Sequence, residues 1–347
     1  MILVTGGLGY LGSHIALYLM SKGHEVVLVD NLSHASMETL ERLEYITKLY
    51  IPFIRLDVRN TPALQKVFEQ YSIDYVINAA GFKSLHEAQI RPLDYYNNNI
   101  GIIMSLLRAM QRASVRRLVN LSSITVYGKD GTDFKEDDAL SQELANPYIR
   151  AQQMVEQIFN DVYGVDDYWQ ITNLRLGNII GAYEKGQLGE WVPPLPNSVL
   201  PYLLQVAAGQ RDIFEIYNQA LDTADGTAER SYLHVMDLST AVYELMLWSN
   251  QQQNYLKHIN VTHTDLTSLK QLIARVEALT EVKIVTECYQ NNTTEFKQLS
   301  ANNEQLKKLI EWEPKYNLDD MIKDQWTYYQ NNLKKRQEPT LGFVKKT

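Results

Sequence analysis

Residues Ile2-Leu3-Val4-Thr5-Gly6-Gly7-Leu8-Gly9-Tyr10-Leu11-Gly12-Ser13 decide how this chain is read. A short apolar and β-branched run reads as a buried strand; behind it Gly6, Gly9 and Gly12 recur at every third position, and a helical pattern opens at Tyr10. Gly6 permits a tight turn, Gly9 lets the backbone approach a pyrophosphate, and Gly12 lets the helix pack on the strand while its first amides face the anion. A second apolar strand, 25–30, ends on Asp30. An acid there accepts hydrogen bonds from a ribose and repels a 2′-phosphate, so the pattern selects NAD over NADP. A chance glycine-rich turn is the alternative, but strand, spacing, helix and acid agree on a dinucleotide cradle.

Outward from this stretch, short apolar runs at 2–5, 25–30, 52–57, 75–79, 117–122 and 170–176 alternate with helical patterns at 11–21, from Thr61-Pro62 onward, at 93–112 and at 148–163. That alternation predicts an α/β protein with a Rossmann-type, doubly wound parallel sheet. After residue 177 it gives way to a Pro/Gly-punctuated stretch, 181–201, then helices near 198–209, 236–250, 266–279 and 318–336 and strands near 214–217, 231–234 and 258–262. The expected organisation is a dinucleotide-binding domain over 1–176 and a smaller mixed α/β substrate lobe over 177–337. The chain crosses back to the first domain around 231–262, and a polar, frayed tail covers 338–347.

The 347 residues carry 45% hydrophobic and 21% charged side chains, an ordinary globular composition. A net charge of −8 and the lack of a basic patch argue against nucleic acid as a partner. The single cysteine, Cys288, forms no internal disulfide, the N-terminus shows no export signal, and no apolar run is long enough for a membrane span. The expectation is a cytoplasmic protein with no membrane partner. His14, His86 and His234 lack metal-ligand spacing, so no metal site is expected.

Two further residues lie at the ends of strands, where ligands bind in such sheets. Asp57 either approaches the adenine or caps a helix. Lys83, just past Ala79-Ala80-Gly81-Phe82, is placed to contact the cofactor. Ser122-Ser123-Ile124-Thr125-Val126-Tyr127-Gly128 then ends the fifth strand, and Pro147-Tyr148 opens a helix. Together with Thr5–Ser13, Asp30-Asn31-Leu32-Ser33, Ala80-Gly81-Phe82-Lys83, Tyr95-Tyr96-Asn97-Asn98-Asn99 and the run 226–237, these segments resemble the UDP-glucose 4-epimerase family of the extended short-chain dehydrogenase/reductases. The resemblance implies an isomerase that inverts C4 of a UDP-hexose through a transient 4-keto sugar. It adds Tyr10, Leu11, Asn31, Val58, Ala79, Ala80, Gly81, Asn98, Ser122, Tyr148 and residue 152 as cofactor contacts. Tyr148 becomes the acid/base and Ser123 its hydrogen-bonding partner at the sugar hydroxyl. Lys83, Asn178, Asn197, Val199 and Arg230 join these two on the substrate side, and helices 93–112 and 148–163 form a homodimer interface.

The family's pattern places a lysine four residues after the tyrosine; here that residue is Gln152, while Arg150 points elsewhere on the helix. A lysine ammonium ~6 Å from a phenol at an effective dielectric of ~20 contributes about 2.8 kcal/mol, some 2 pH units of acidity. Glutamine offers only a dipole, so about a hundredfold fewer phenolates and weak, alkaline-favoured activity are expected. The second arginine of the family is also missing, its place falling in Asn292-Thr293-Thr294-Glu295, and the residue at the sugar gate, Leu299, is not aromatic, leaving room for N-acetylated forms. A catalytically impaired NAD-binding protein is the competing reading. A dehydratase ranks third, because Ile124 and Thr125 stand where such enzymes carry an acidic pair.

Overall fold

A computed structural model describes residues 1–143, 145–166, 168–191, 196, 198–217, 220–289 and 295–337. The first half alternates strands and helices: β1 (Ile2–Thr5), α1 (Tyr10–Ser21), β2 (Val26–Asp30), α2 (Met37–Thr47), β3 (Phe53–Arg55), α3 (Thr61–Gln70), β4 (Tyr75–Asn78), α4 (Leu85–Ile90), α5 (Pro92–Arg112) and β5 (Arg117–Ser123). A small strand β6 (Gly131–Phe134), α6 (Pro147–Val165), β7 (Gln170–Leu176) and β8 (Asn178–Ile180) follow. The remainder supplies α7 (Val199–Ala207), β9 (Phe214–Tyr217), β10 (Glu229–His234), α8 (Val235–Ser249), β11 (Tyr255–Val261), β12 (Leu266–Ser268), α9 (Leu269–Thr280), β13 (Thr286–Tyr289), β14 (Gln298–Ala301), α10 (Glu304–Leu309) and α11 (Leu318–Gln337).

Seven parallel strands build the main sheet in the order β11-β7-β5-β4-β1-β2-β3. The order reverses between β1 and β4, and a doubly wound sheet opens its ligand crevice at such a switch. One apolar core lies where α1 and α8 cover the sheet, built on Ile15, Leu19, Leu28, Leu238 and Val242. The opposite core gathers Leu64, Ile103, Leu106, Val155 and Phe159 from α3, α5 and α6. Coverage on both faces is why β1, β2, β4 and β7 are buried at every position.

Beside this sheet lie a five-stranded mixed sheet containing β12, β10, β14 and β6, with β8 paired to β10, and the two-stranded pair β13-β9. A third core packs α7, α9 and α11 around Leu203, Leu272 and Ile322.

Several local expectations are corrected. The third strand is three residues long, because β3 is the sheet edge and is half-exposed. The helix expected from 266 starts at Leu269. Residues 266–268 pair antiparallel with β10, and Ser268 closes a capping box with Gln271 that sets the helix start. α2 escapes a periodicity reading because only Thr39 and Leu43 are buried along it. The tail 338–347 lies outside the described residues. Among the described residues, no helix is long and apolar enough to cross a membrane.

Candidate active site

The glycine turn works by close approach. Gly6 sits at φ +64°, and a β-carbon there would come 2.7 Å from the Ala80 amide nitrogen. A β-carbon on Gly12 would collide with the Gly6 carbonyl oxygen, so the first turn of α1 rests directly on the loop. Gly9 occupies the N-cap of α1 without a side-chain cap, leaving that end open to an anion.

Asp30, at the end of β2, is nearly buried; its Oδ2 accepts from the Leu8 amide at 3.2 Å and its Oδ1 from the Leu32 amide at 2.8 Å. Burial pushes its carboxyl above the usual range, and the amides of Leu32, Leu8, Gly9 and Asn31 pull it back toward the ionised form. Gly6, Asp30, Asn31, Asp57, Val58 and Asn98 line a small hollow of about 110 Å³ that continues along Ala79, Ala80 and Gly81. Asp57 is no helix cap: Asn60 caps α3 through the Ala63 amide, while Arg59 grips Asp57 at 2.6 Å and holds its carboxyl below the usual range.

A second cleft, of about 240 Å³, shares Gly9 and Ala79–Phe82 with the hollow and extends over the sheet. Tyr10, Leu11, Gly12, Ser122, Tyr148 and Gln152 stand on its wall. The Ser122 hydroxyl is buried there without a hydrogen-bond partner among the described residues, a polar atom in want of a ligand. Two adjoining hollows along a glycine turn, an acid at the ribose position and an orphaned hydroxyl fit an extended dinucleotide.

Helix α6 positions the chemistry. Asn146 caps it through the Tyr148 amide, Pro147 takes its first position, and Tyr148, Gln152, Val155, Glu156 and Phe159 share the buried face. Burial pushes the Tyr148 phenol up to about 12, while hydrogen bonds with the Ser123 and Gln152 side chains act in the opposite sense. Ser122, rather than Ser123, lines the cleft. Across the mouth, Lys83 Nζ meets Glu190 Oε1 at 3.1 Å.

The remaining described substrate candidates, Asn178, Val199 and Arg230, are not among the residues lining this cleft. Asn178 is exposed on β8 and bonds Tyr232. Val199 opens α7 against the third core. Arg230 is half-buried on β10, where its guanidinium donates to the Glu229 carbonyl at 2.9 Å and to Glu295 Oε1 at 3.4 Å. Asn178 and Arg230 thus lie on the smaller mixed sheet and Val199 on the helix packed against the third core, beside the main sheet. Asn197 and the segment 290–294 lie outside the described residues.

Sequence reasoning missed Glu87, Tyr95, Asn78, Asn120, Glu190 and Trp191, all on the cleft. Asn78 and Asn120 were visible as polar interruptions of apolar strands. Glu190 had no local signal.

A family model described as NAD dependent epimerase/dehydratase matches residues 2–262. A UDP-glucose 4-epimerase of Neisseria meningitidis serogroup C is 36% identical over 332 residues, 95% of this chain and 97% of the relative. One of Bacillus subtilis is 33% identical over 336 residues, 96% and 97% of the two chains. Among solved structures, UDP-glucose 4-epimerase of Bifidobacterium longum in complex with NAD+ and UDP superposes with a TM-score of 0.92 at 30% identity, covering 96% of this chain and 98% of that one.

Proposed function

Because the chain belongs to the NAD-dependent epimerase/dehydratase family, and within it to the UDP-glucose 4-epimerase family, we propose that it binds NAD and inverts C4 of a UDP-hexose, UDP-glucose/UDP-galactose or their N-acetylated forms. The observation that carries this reading is the Tyr148 phenol on the wall of the cleft that the glycine turn borders, with Gln152 on the same wall.

Gly6, Gly9 and the open end of α1 hold the pyrophosphate, and Asp30 holds the adenosine ribose. Ser122 and Gln152 offer hydrogen bonds beside the nicotinamide half. A bound nicotinamide supplies reversible hydride exchange with the sugar carbon. Tyr148 moves the proton of the sugar hydroxyl, taking it in one direction and returning it in the other. Lys83 serves the anionic side of the cleft. The UDP end falls to Asn178, Asn197, Val199 and Arg230.

Gln152 bears no charge, so the phenol gets no cationic help from the residue that faces it and turnover near neutral pH is low. The same substitution favours a second reading, an NAD-binding protein of this fold without catalysis. Turnover of UDP-galactose, UDP-glucose and their N-acetylated forms between about pH 7 and 10, for the parent and Gln152→Lys, separates the two. Interconversion that grows toward alkaline pH is expected. If neither protein converts any sugar nucleotide while both retain NAD, the catalytic reading is lost.

The same proposal takes 1–176 as the cofactor half and 177–337 as mainly the substrate half, with β11 returning to the main sheet. It takes the protein as a homodimer through the outer faces of α5 and α6. Exposed Leu93, Met104 and Met154 on these helices support that choice.

A further inference from the structure

Lys83 and Glu190 stand 107 positions apart in the chain, yet the lysine Nζ donates to the glutamate Oε1 across the cleft at 3.1 Å. The two ends of this pair are built differently. The glutamate side chain is 13% exposed and the lysine side chain 59%. Glu190 follows a braced segment, in which the Tyr10 hydroxyl donates to the Gly181 carbonyl at 2.7 Å, the Gly181 amide donates to Gln325 Oε1 at 2.9 Å, and Arg42 donates to the Gln187 carbonyl at 3.1 Å. The Tyr183 amide also returns to the Leu188 carbonyl at 2.8 Å. On the carboxylate itself, the Ser198 hydroxyl reaches the same Oε1 at 3.5 Å.

The backbone around Lys83 is pinned as well. The Phe82 amide donates to Asn99 Oδ1 at 2.9 Å and the Ser84 amide to the Tyr95 hydroxyl at 3.0 Å. What is left free to swing is the four-carbon stem of the lysine with its ammonium. That stem stands on the cleft that also carries Gly9 and Tyr10, at the end of α1 where the proposed function seats a diphosphate.

The geometry points to Glu190 as a built-in competitor for Lys83: a fixed carboxylate holds the mobile ammonium that the diphosphate of a bound nucleotide needs, so Glu190 sets the affinity of the cleft for such ligands. Two anions gathered on one ammonium repel each other, which makes exchange of partner better than sharing. The lysine moves and the glutamate stays. The inference rests on the epimerase reading for the identity of the ligand, whereas the competition itself concerns any diphosphate. Its source is either the dinucleotide or the sugar nucleotide, and separate titrations tell them apart.

The test uses the full-length protein, titrated by calorimetry with NAD and with inorganic pyrophosphate, and the NAD-loaded protein, titrated with UDP. Glu190→Gln keeps the shape and removes the charge; Glu190→Asp draws the carboxylate back by one methylene. Thermal unfolding of both is expected to match the parent, since a pair with an exposed lysine adds little stability. Glu190→Gln is expected to lower Kd about two- to fivefold for pyrophosphate and for whichever nucleotide's diphosphate takes Lys83, and Glu190→Asp to act in the same direction by less. Lys83→Met is expected to raise those same Kd values at least threefold, and adding Glu190→Gln to it should change nothing further. Unchanged affinities for all three ligands in Glu190→Gln overturn the inference. So does a gain of equal size with and without Lys83, which would make Glu190 a plain repelling charge. A parent that binds pyrophosphate but neither nucleotide sinks the epimerase reading, and the pyrophosphate titrations still decide the competition. A parent that binds none of the three sinks both.

Discussion

Asn173 of β7 donates to Glu156 of α6 at 3.0 Å, and this bond is the last link of a row that crosses the main sheet. Thr5, Asn78, Asn120 and Asn173 stand in register on β1, β4, β5 and β7. Thr5 donates to Asn78 at 2.6 Å, Asn78 to Asn120 at 2.8 Å and Asn120 to Asn173 at 2.7 Å, all running toward the Glu156 carboxylate. Arg175 closes the row with bonds of 3.0 and 2.8 Å to Glu156, and Tyr127 links it to Asn260 at 2.8 Å. Glu156 lies one turn beyond Gln152 and two beyond Tyr148, so the row ties the face of α6 that carries Tyr148 to the sheet beneath it.

Breaking that row has a predictable cost. Asn120→Leu keeps the branched shape but leaves the Asn78 amide and the Asn173 carbonyl without their partner, which is expected to destabilise the protein by about 2–4 kcal/mol. Glu156→Gln, which leaves Arg175 buried and uncompensated, is expected to cost about 3–5 kcal/mol. Urea unfolding of the two variants beside the parent measures both, and loss of less than about 1 kcal/mol in either would show the row to be dispensable.

Restoring the cation is expected to act through pH. The phenol is pushed up to about 12 by burial and carries no charged partner, so the active phenolate is scarce at neutral pH and the parent rate should climb close to tenfold per pH unit until that ionisation is reached. A lysine ammonium favours the ionised phenol and lowers its pKa, moving the rise to lower pH. Gln152→Lys is therefore expected to raise neutral turnover by up to about a hundredfold and to flatten the profile above it. Parallel profiles for the two proteins would contradict this account.

The cofactor cradle is open to a separate check. Gly12→Ala forces a methyl into the Gly6 carbonyl, and should abolish retention of NAD through purification. Asp30→Ala removes the acceptor proposed for the ribose and is expected to weaken NAD roughly tenfold or more while relaxing discrimination against NADP. Calorimetric titration with each dinucleotide reads both effects.

The dimer is expected to depend on the outer surface of α5 and α6. Met154 on α6 is 46% exposed and Met104 on α5 is 38% exposed. Met154→Glu, which places a charge in an apolar contact, should shift the protein toward monomer in light-scattering chromatography. A parent that already elutes as a monomer removes this proposal.

Much of the fold was legible because its signals are local. A strand buried on both faces is a short apolar run, as at Gln170–Leu176, and a capped amphipathic helix announces itself at Thr61-Pro62 and Pro147-Tyr148. Where burial is sparse the signal fades. Met37–Thr47 shows two buried side chains, and Thr286–Tyr289 is exposed throughout. Tyr148, Gln152 and the glycine turn were legible for the same reason, each being a spacing within one or two elements.

From the sequence alone came the doubly wound architecture, the dinucleotide cradle and the exchange of a cation for an amide at residue 152, because these rest on periodicity, glycine spacing and residue identity within short windows. Only the folded chain decided that Asn78, Asn120 and Asn173 form one hydrogen-bonded row ending on Glu156 and that Lys83 faces Glu190 across the cleft. The row and the Lys83 pair join residues far apart in sequence. Contacts of this kind leave no local pattern, since partners and donor directions are set by which strands become neighbours and how their side chains are then packed.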